Sequence, residues 1–303
     1  MTPLLSICIP TYNRLEILKN TITSIYADTD GVNMNDFEVI ITDNTKEHTA
    51  LSIINSFQYS NLHYYPTDCE GFKNSYFAML YGQGEYLKLN NNYTKFKKGT
   101  LKQIIDTLKE TKKYKTQIIY TNGLCSKKGF KQYNSFDQYL YNLSYFCSWS
   151  AGYGMWKEDF DRIKDSINLN SYFPQTSLLL TQNYKISFAI DNRILFEDQY
   201  VPKKGGYNIF KVFSVDFLGL IIKSYENKII SLKTLKKIKR ELLYKYLSIR
   251  YFKTVIARLD NFDTTDIKNS ITTYYSSFQY YLMILIALFA PFINLYKKVR
   301  RIY

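Results

Sequence analysis

The sequence predicts an α/β fold, a parallel sheet covered on both faces, joined to a helical, basic C-terminal region. Three observations lead there. Short apolar runs alternate with helical patterns over residues 1–120, an order that a parallel sheet with helices on its two faces satisfies. A chain of 303 residues can bury a full core and still carry an appendage. The net charge of +14 is lopsided: residues 201–303 hold 19 Lys and Arg against 6 Asp and Glu, while residues 1–200 are nearly balanced.

The elements follow in order. Residues 4–9 (LLSICI), 37–41 (FEVII), 62–65 (LHYY), 85–89 (EYLKL) and 117–121 (QIIYT) are β-rich runs between turn residues and read as strands. Between them Leu15, Leu18, Ile22 and Ile25 recur at helical spacing, as do Leu101, Ile104, Ile105 and Leu108, and residues 74–80 form a third helical stretch. Ligands of such sheets sit beyond the carboxyl ends of the strands, which directs attention to the loops after residues 9, 41 and 89. The middle of the chain, 122–215, is less regular; its aromatic and small-residue run YFCSWSAGYGMW (145–156) reads as a substrate-shaping segment.

Further on, Ser231 can cap a helix with Leu232, Leu235, Ile238, Leu242 and Tyr246 on one side and Lys233, Lys236, Lys237, Lys239 and Arg240 on the others. Residues 269–296 carry no charge, but the strongly apolar centre, 280–293, contains Pro291 and is short for a membrane span. Tyr274, Tyr275, Phe278, Tyr280 and Tyr281 precede it, and Lys297, Lys298, Arg300 and Arg301 follow. Aromatics with a basic flank suit a segment in the headgroup layer, so residues 231–303 are expected at an anionic membrane surface. A buried C-terminal helix of a soluble fold is the plain alternative.

Composition also excludes. Cys8, Cys69, Cys125 and Cys147 form neither a C-x-x-C pair nor a secreted disulfide framework, which favours a reducing compartment. His48 and His63, the only histidines, cannot build a His-rich metal site. The opening MTPLLSICIPTYNR has no basic n-region and no cleavage site, so no signal peptide is expected. A nucleic-acid partner would explain the charge but not the N-terminal motifs, and none is expected.

Those motifs carry the function. SICIPTYNR (6–14) is a strand, a turn and a helix start; FEVIITDN (37–44) ends a second strand in Asp43-Asn44; Gly71 and Asn74 follow; GEYLKLNNN (84–92) ends a further strand. A loop entering a helix offers free backbone N–H groups to a diphosphate. Arg14 can fork onto a phosphate, Tyr12 and Thr11 supply a ring and a hydroxyl, and Asp43 can accept from a nucleoside. In this order the motifs resemble the opening of family 2 glycosyltransferases of the GT-A type, a Rossmann-like nucleotide-diphospho-sugar transferase fold. The step from Asn74 to Gly84 is similar to that in the abequosyltransferase-like group of bacterial capsule and O-antigen enzymes.

The resemblance covers residues 1–215, leaving 216–303 as a helical, amphipathic membrane-association region. It implies a nucleotide-diphosphate sugar as donor, held by Pro10, Thr11, Tyr12, Arg14, Asp43, Asn44, Gly71, Lys73, Asn74, Asn91 and Asn92. It also implies a divalent metal, Mg²⁺ or Mn²⁺, on a D-x-D motif. Here Asn90, Asn91 and Asn92 stand instead, with Asn92 at the ligand position; hard cations are normally held with at least one carboxylate, so metal-independent transfer is the alternative. Lys88, Lys95, Lys97 and Lys98 flank the motif and could supply positive charge, or merely solvate a surface.

The family's usual base position falls in SYFPQTSLLL (171–180), which has no carboxylate; Asp137, Asp159, Asp161 and Asp191 are undistinguished substitutes, and Glu197-Asp198 reads as surface. Trp149, Tyr153, Trp156 and Gln175 are candidate acceptor-side residues, with core packing equally open to the aromatics. The reading is a glycosyltransferase acting on a lipid-linked glycan in bacterial surface polysaccharide synthesis, at the cytoplasmic face of the cell membrane. The alternative is a non-catalytic GT-A-like interaction or membrane-surface protein.

Overall fold

Strands buried on both faces set the central sheet. In the computed structural model, which describes residues 2–299 apart from 126, 127, 203 and 204, with side chains as far as Phe289, the expected strands form as β1 (Leu5–Thr11), β2 (Phe37–Asp43), β3 (Leu62–Pro66) and β4 (Tyr86–Leu89). The expected flank residues Arg300 and Arg301 lie outside the described residues, as do the side chains of Lys297 and Lys298. The chain divides into two compact units, residues 1–200 and 201–303, so 201–215 counts with the helical unit.

In the first unit β1 runs parallel to β2 and β4, and β2 parallel to β3, in the order β3-β2-β1-β4. An antiparallel strand from the chain's middle, Gly154–Trp156, completes the other edge beside β4. After β3 the chain returns to the far side of β1, which makes the gap between the carboxyl ends of β1 and β4 the topological switch point, where open α/β sheets bind ligands. One face buries Leu5, Ile7 and Ile9 against Leu18, Ile22 and Ile25 of α1 (Leu15–Tyr26) and Leu101, Ile104 and Leu108 of α4 (Thr100–Thr111). The other face receives α3 (Asn74–Tyr81), packed on β1 and β2. A short α2 (Ala50–Ile54) follows β2.

Pairing over long sequence distances departs from expectation. The stretch after the Asn triplet forms β5 (Thr94–Phe96), which pairs antiparallel with Phe196–Asp198. The expected strand at 117–121, β6 (Gln117–Tyr120), leaves the central sheet for a three-stranded sheet with Phe188–Asp191 and Phe130–Tyr133. A single bridge, Ile119 to Tyr153, connects it to the segment before Gly154.

The second unit is helical. Ser231 Oγ accepts from the Thr234 N–H and caps Leu232–Glu241, as the sequence suggested. The helix buries Leu235 and Ile238 and exposes Lys233, Lys236 and Arg240. The terminal helix, Ser277–Val299, runs on through Pro291. No helix of the described residues is long and apolar enough to cross a membrane.

The start of β4 depends on a small residue. A Cβ on Gly84 would lie 2.7 Å from the Ser6 backbone nitrogen, while the Gly84 N–H donates to Glu38 Oε1 at 3.0 Å and Ser6 Oγ at 2.8 Å. Gly84→Ala is expected to lower stability by about 1–3 kcal/mol, the range for overpacking. A fall in the urea midpoint with unchanged slope checks this.

Candidate functional site

Four loops leave the carboxyl edge of the sheet together, because the register aligns Thr11 with Asp43, Asp43 with Pro66, and Cys8 with Leu89. The first loop turns from β1 into α1 through Asn13 (φ 56°) and Arg14 (φ 66°), two consecutive left-handed non-glycine residues. Each costs about 1–2 kcal/mol. No side chain caps α1, so its first-turn N–H groups and positive dipole end face the switch point. Tyr12 (61% exposed) and Arg14 stand out from this turn, and among the described residues neither side chain has a hydrogen-bond partner. Pro10 is half-buried within β1.

Asn74 holds the loops in place. Its Nδ2 lies 3.1 Å from the Thr11 carbonyl, 3.0 Å from that of Thr42 and 3.1 Å from Asn44 Oδ1, and its Oδ1 accepts from Thr67 Oγ1 at 3.1 Å. Asn44 in turn donates to the Cys69 carbonyl at 3.0 Å. Both residues shape the rim; buried Asn74 presents no free group to a ligand.

Asp43 also differs from expectation. It is fully buried; Oδ1 accepts from the N–H and hydroxyl of Thr45 (3.0 and 2.7 Å), and Oδ2 from the Ala50 N–H (3.0 Å) and the Tyr64 hydroxyl (3.2 Å). The carboxylate organises the loop between β2 and α2, and in this arrangement no lone pair is left for a nucleoside. Gly71 (φ 52°), with open space where a Cβ would point, and exposed Lys73 lie on the loop after β3. The same loop exposes Asp68, Glu70 and Phe72, which neither periodicity nor motif singled out. Phe72 meets the ring of Tyr172 at 6.0 Å, so two exposed aromatics share this edge.

The amide triplet itself offers no carboxylate to a hard cation. Buried Asn90 directs Nδ2 to the carbonyls of Asn91 and Thr94, and its Oδ1 lies 3.5 Å from Lys88 Nζ. Asn91 donates to the Tyr93 hydroxyl at 3.0 Å. Asn92, the expected ligand position, donates its side-chain Nδ2 to Thr11 Oγ1 at 2.9 Å, and its backbone carbonyl accepts from Thr21. Among the described residues no group of three or more His, Cys, Asp or Glu could hold a metal. Neutral amides, one of them already facing an ammonium, are poor ligands for Mg²⁺ or Mn²⁺.

Lys88 is not a flanking surface charge. It lies fully buried on the Tyr86 side of β4; Nζ donates to the carbonyls of Leu89 (3.0 Å) and Ala151 (3.1 Å) and sits 4.5 Å from the centre of the Phe196 ring and 5.4 Å from that of Tyr120. Burial pulls its pKa down to about 7. Lys95 faces Glu197 at 3.6 Å, and Lys97 and Lys98 are exposed.

The substitute bases are mostly occupied. Asp159 is buried, accepting from the Tyr184 hydroxyl and the Lys185 ammonium; Asp191 is held by Arg193, whose Nε lies 2.9 and 3.1 Å from its oxygens. Asp161 pairs with Lys164 on the surface of a helix, and Asp137 opens the helix Phe136–Leu143. Asp198 is exposed, yet its pairing beside β5 brings it next to the amide loop, where it accepts from Thr94 Oγ1 at 2.6 Å.

On the acceptor side Tyr153 is a core residue, fully buried with its hydroxyl 3.3 Å from Met155 sulfur. Trp156 is buried too, donating to the Thr116 carbonyl at 3.0 Å, and Trp149 packs half-buried against the core. Gln175, in the first turn of the helix Pro174–Leu180, is buried and donates to the Ser148 carbonyl at 2.7 Å.

Two outcomes test these assignments. Asn74→Ala leaves Thr67 and three acceptors without their partner and is expected to cost about 1–3 kcal/mol, measured by chemical denaturation. For Lys88, a folded pKa near 7 lies below the ordinary lysine value of 10.5. Between these values the unfolded chain binds the extra proton, so stability rises with pH. Lys88→Met should remove that rise, with a slope difference of up to about 1.4 kcal/mol per pH unit, the linkage of one proton.

Comparison with known proteins agrees with this architecture. The model of "Glycosyl transferase family 2" matches residues 6–197. Staphylococcus aureus TarS 1–349 in complex with UDP-GlcNAc is similar in structure (TM-score 0.55, 14% identity), with 90% of this chain and 79% of that one covered. The mannosyltransferase PcManGT from Pyrobaculum calidifontis, in complex with GDP-Man and Mn²⁺, is similar at TM-score 0.55 and 13% identity, over 97% of this chain and 83% of that one. Against a longer S. aureus TarS structure (TM-score 0.53, 14% identity), 83% of this chain matches but spans only 44% of that one. Curated protein sequences gave no match. With a family match over residues 6–197 of 303 and a GT-A sheet beneath it, the chain belongs to glycosyl transferase family 2.

Proposed function

We propose that the protein transfers a sugar from a nucleoside-diphosphate donor to a glycan acceptor, with the diphosphate seated between the carboxyl ends of β1 and β4. The observation that carries this reading is the first loop: an uncapped helix N-terminus beside an exposed, unpartnered arginine at the switch point. Arg14 forks onto a phosphate, Tyr12 stacks on the base, and Lys73 adds charge from the β3 loop. Asn91 and Asn92 contribute neutral hydrogen bonds. Charge developing on the departing diphosphate is met by Arg14, Lys73 and the α1 dipole, which makes transfer independent of a divalent cation.

The acceptor is a lipid-linked glycan of a bacterial surface polysaccharide, met at the cytoplasmic face of the membrane. The Asn74–Gly84 spacing, similar to that of the abequosyltransferase-like group, and the basic second unit support this finer reading. Phe72 and Tyr172, rather than buried Tyr153 and Gln175, offer the exposed apolar surface for a sugar ring.

Isothermal titration with UDP, GDP, CDP and dTDP, each with and without EDTA, tests the donor site. At least one nucleotide should bind equally well in both conditions. Arg14→Ala should weaken it by about tenfold or more, the loss of a charge-assisted phosphate contact. Binding by none of the four, or an unchanged affinity in the variant, refutes the assignment.

A further inference from the structure

The terminal helix Ser277–Val299 has two unlike sides. Tyr280, Met283 and Ala287 are buried within the second unit. Phe278 (75% exposed), Tyr281 (56%), Leu285 (51%), Leu288 (52%) and Phe289 (55%) face outward. Their steps of three and four residues place them on one stripe, about 16 Å long at 1.5 Å per residue. Single exposed apolar residues are ordinary, but a continuous row of five marks a surface that meets something other than water.

Charge identifies what it meets. No charged residue occurs within 269–296, so the stripe itself holds nothing that must be desolvated. Its edge is cationic: Lys268 Nζ donates to the Tyr281 hydroxyl at 3.2 Å and lies 5.4 Å from the ring centre. The helix Leu232–Glu241 of the same unit exposes Lys233, Lys236 and Arg240. Residues 201–303 as a whole hold 19 bases against 6 acids. An apolar stripe with Lys268 at its edge, in a unit of strong positive charge, matches a bilayer whose acyl boundary lies under negative headgroups.

We propose that the terminal helix lies in the plane of an anionic lipid bilayer, with Phe278, Tyr281, Leu285, Leu288 and Phe289 at the headgroup–acyl boundary and Lys268 at the headgroups. Tyr280, expected from the sequence among the interfacial aromatics, belongs instead to the buried side. This docking does not depend on the donor site and stands or falls separately from it.

Vesicle flotation of the full chain tests it, using phosphatidylcholine alone and an equimolar mixture with phosphatidylglycerol. The protein should float with the anionic vesicles and not with the neutral ones. Raising salt from about 0.1 M to about 1 M should release it as the Debye length falls. The double variant Leu285→Glu/Leu288→Glu should lower anionic-vesicle partitioning at least about tenfold, with an unchanged circular dichroism spectrum and unchanged nucleotide affinity. Three results overturn the proposal: no flotation, equal flotation with both vesicle types, or undiminished binding by the folded double variant. A wild-type oligomer that the double substitution dissolves, seen in sedimentation without vesicle binding, would assign the stripe to a contact between copies.

Discussion

One buried side-chain amide fixes the geometry on which the site depends. Asn74 joins the ends of β1, β2 and β3 through the carbonyls of Thr11 and Thr42, the side chain of Asn44 and the hydroxyl of Thr67. Strand ends otherwise splay, since beyond the last ladder bond their polar groups turn to water. Here the groups that would take water are satisfied by one residue at the start of α3. Asp43 does the same for the loop into α2. The consequence is preorganisation: the α1 turn carrying Tyr12 and Arg14 projects from a braced edge, and binding need not order it.

That bracing explains what could be read from the sequence. The first four strands and the helices α1, α3 and α4 depend on local periodicity, and each forms where the pattern placed it. The residues of the ordered motifs were also found, but their roles depend on partners far along the chain. Asn74 and Asp43 read as donor-binding residues because nothing in their neighbourhood announces Thr11 or Tyr64 as a partner. Asp198 read as surface, since its pairing with Thr94 spans 104 residues. Phase was similarly hidden. Lys88 looked like a solvated flank, yet its place in β4 puts it on the same side as Tyr86, and Tyr280 falls on the inner side of a helix whose neighbours at 278 and 281 are exposed.

The buried ammonium of Lys88 gives the amide triplet a physical context. A lysine in an aromatic box without a carboxylate is costly, and its lowered pKa expresses that cost. A carboxylate at position 90 would lie within ion-pairing distance of Nζ, and the two charges would neutralise each other in the core. With asparagine there, the carbonyl accepts from the ammonium without cancelling its charge. The loop that carries Asn91 and Asn92 therefore rests on an amine whose pKa burial lowers to about 7, so that its charge is partial near neutral pH.

The division of charge between the two units follows the same logic at longer range. Steering toward a bilayer requires many cations at a surface, because each is screened within about 8–10 Å at physiological salt. Gripping one diphosphate requires few, placed well, and surplus cations around such a site would hold nucleotides without regard to the sugar they carry. The near-balance of residues 1–200 and the excess of 19 bases over 6 acids in residues 201–303 would keep the two proposed tasks apart. Selectivity for a donor can then come from the shape and hydrogen bonds of the loops at the sheet edge. On the proposed readings, attraction to an anionic surface would rest with the basic residues of 201–303.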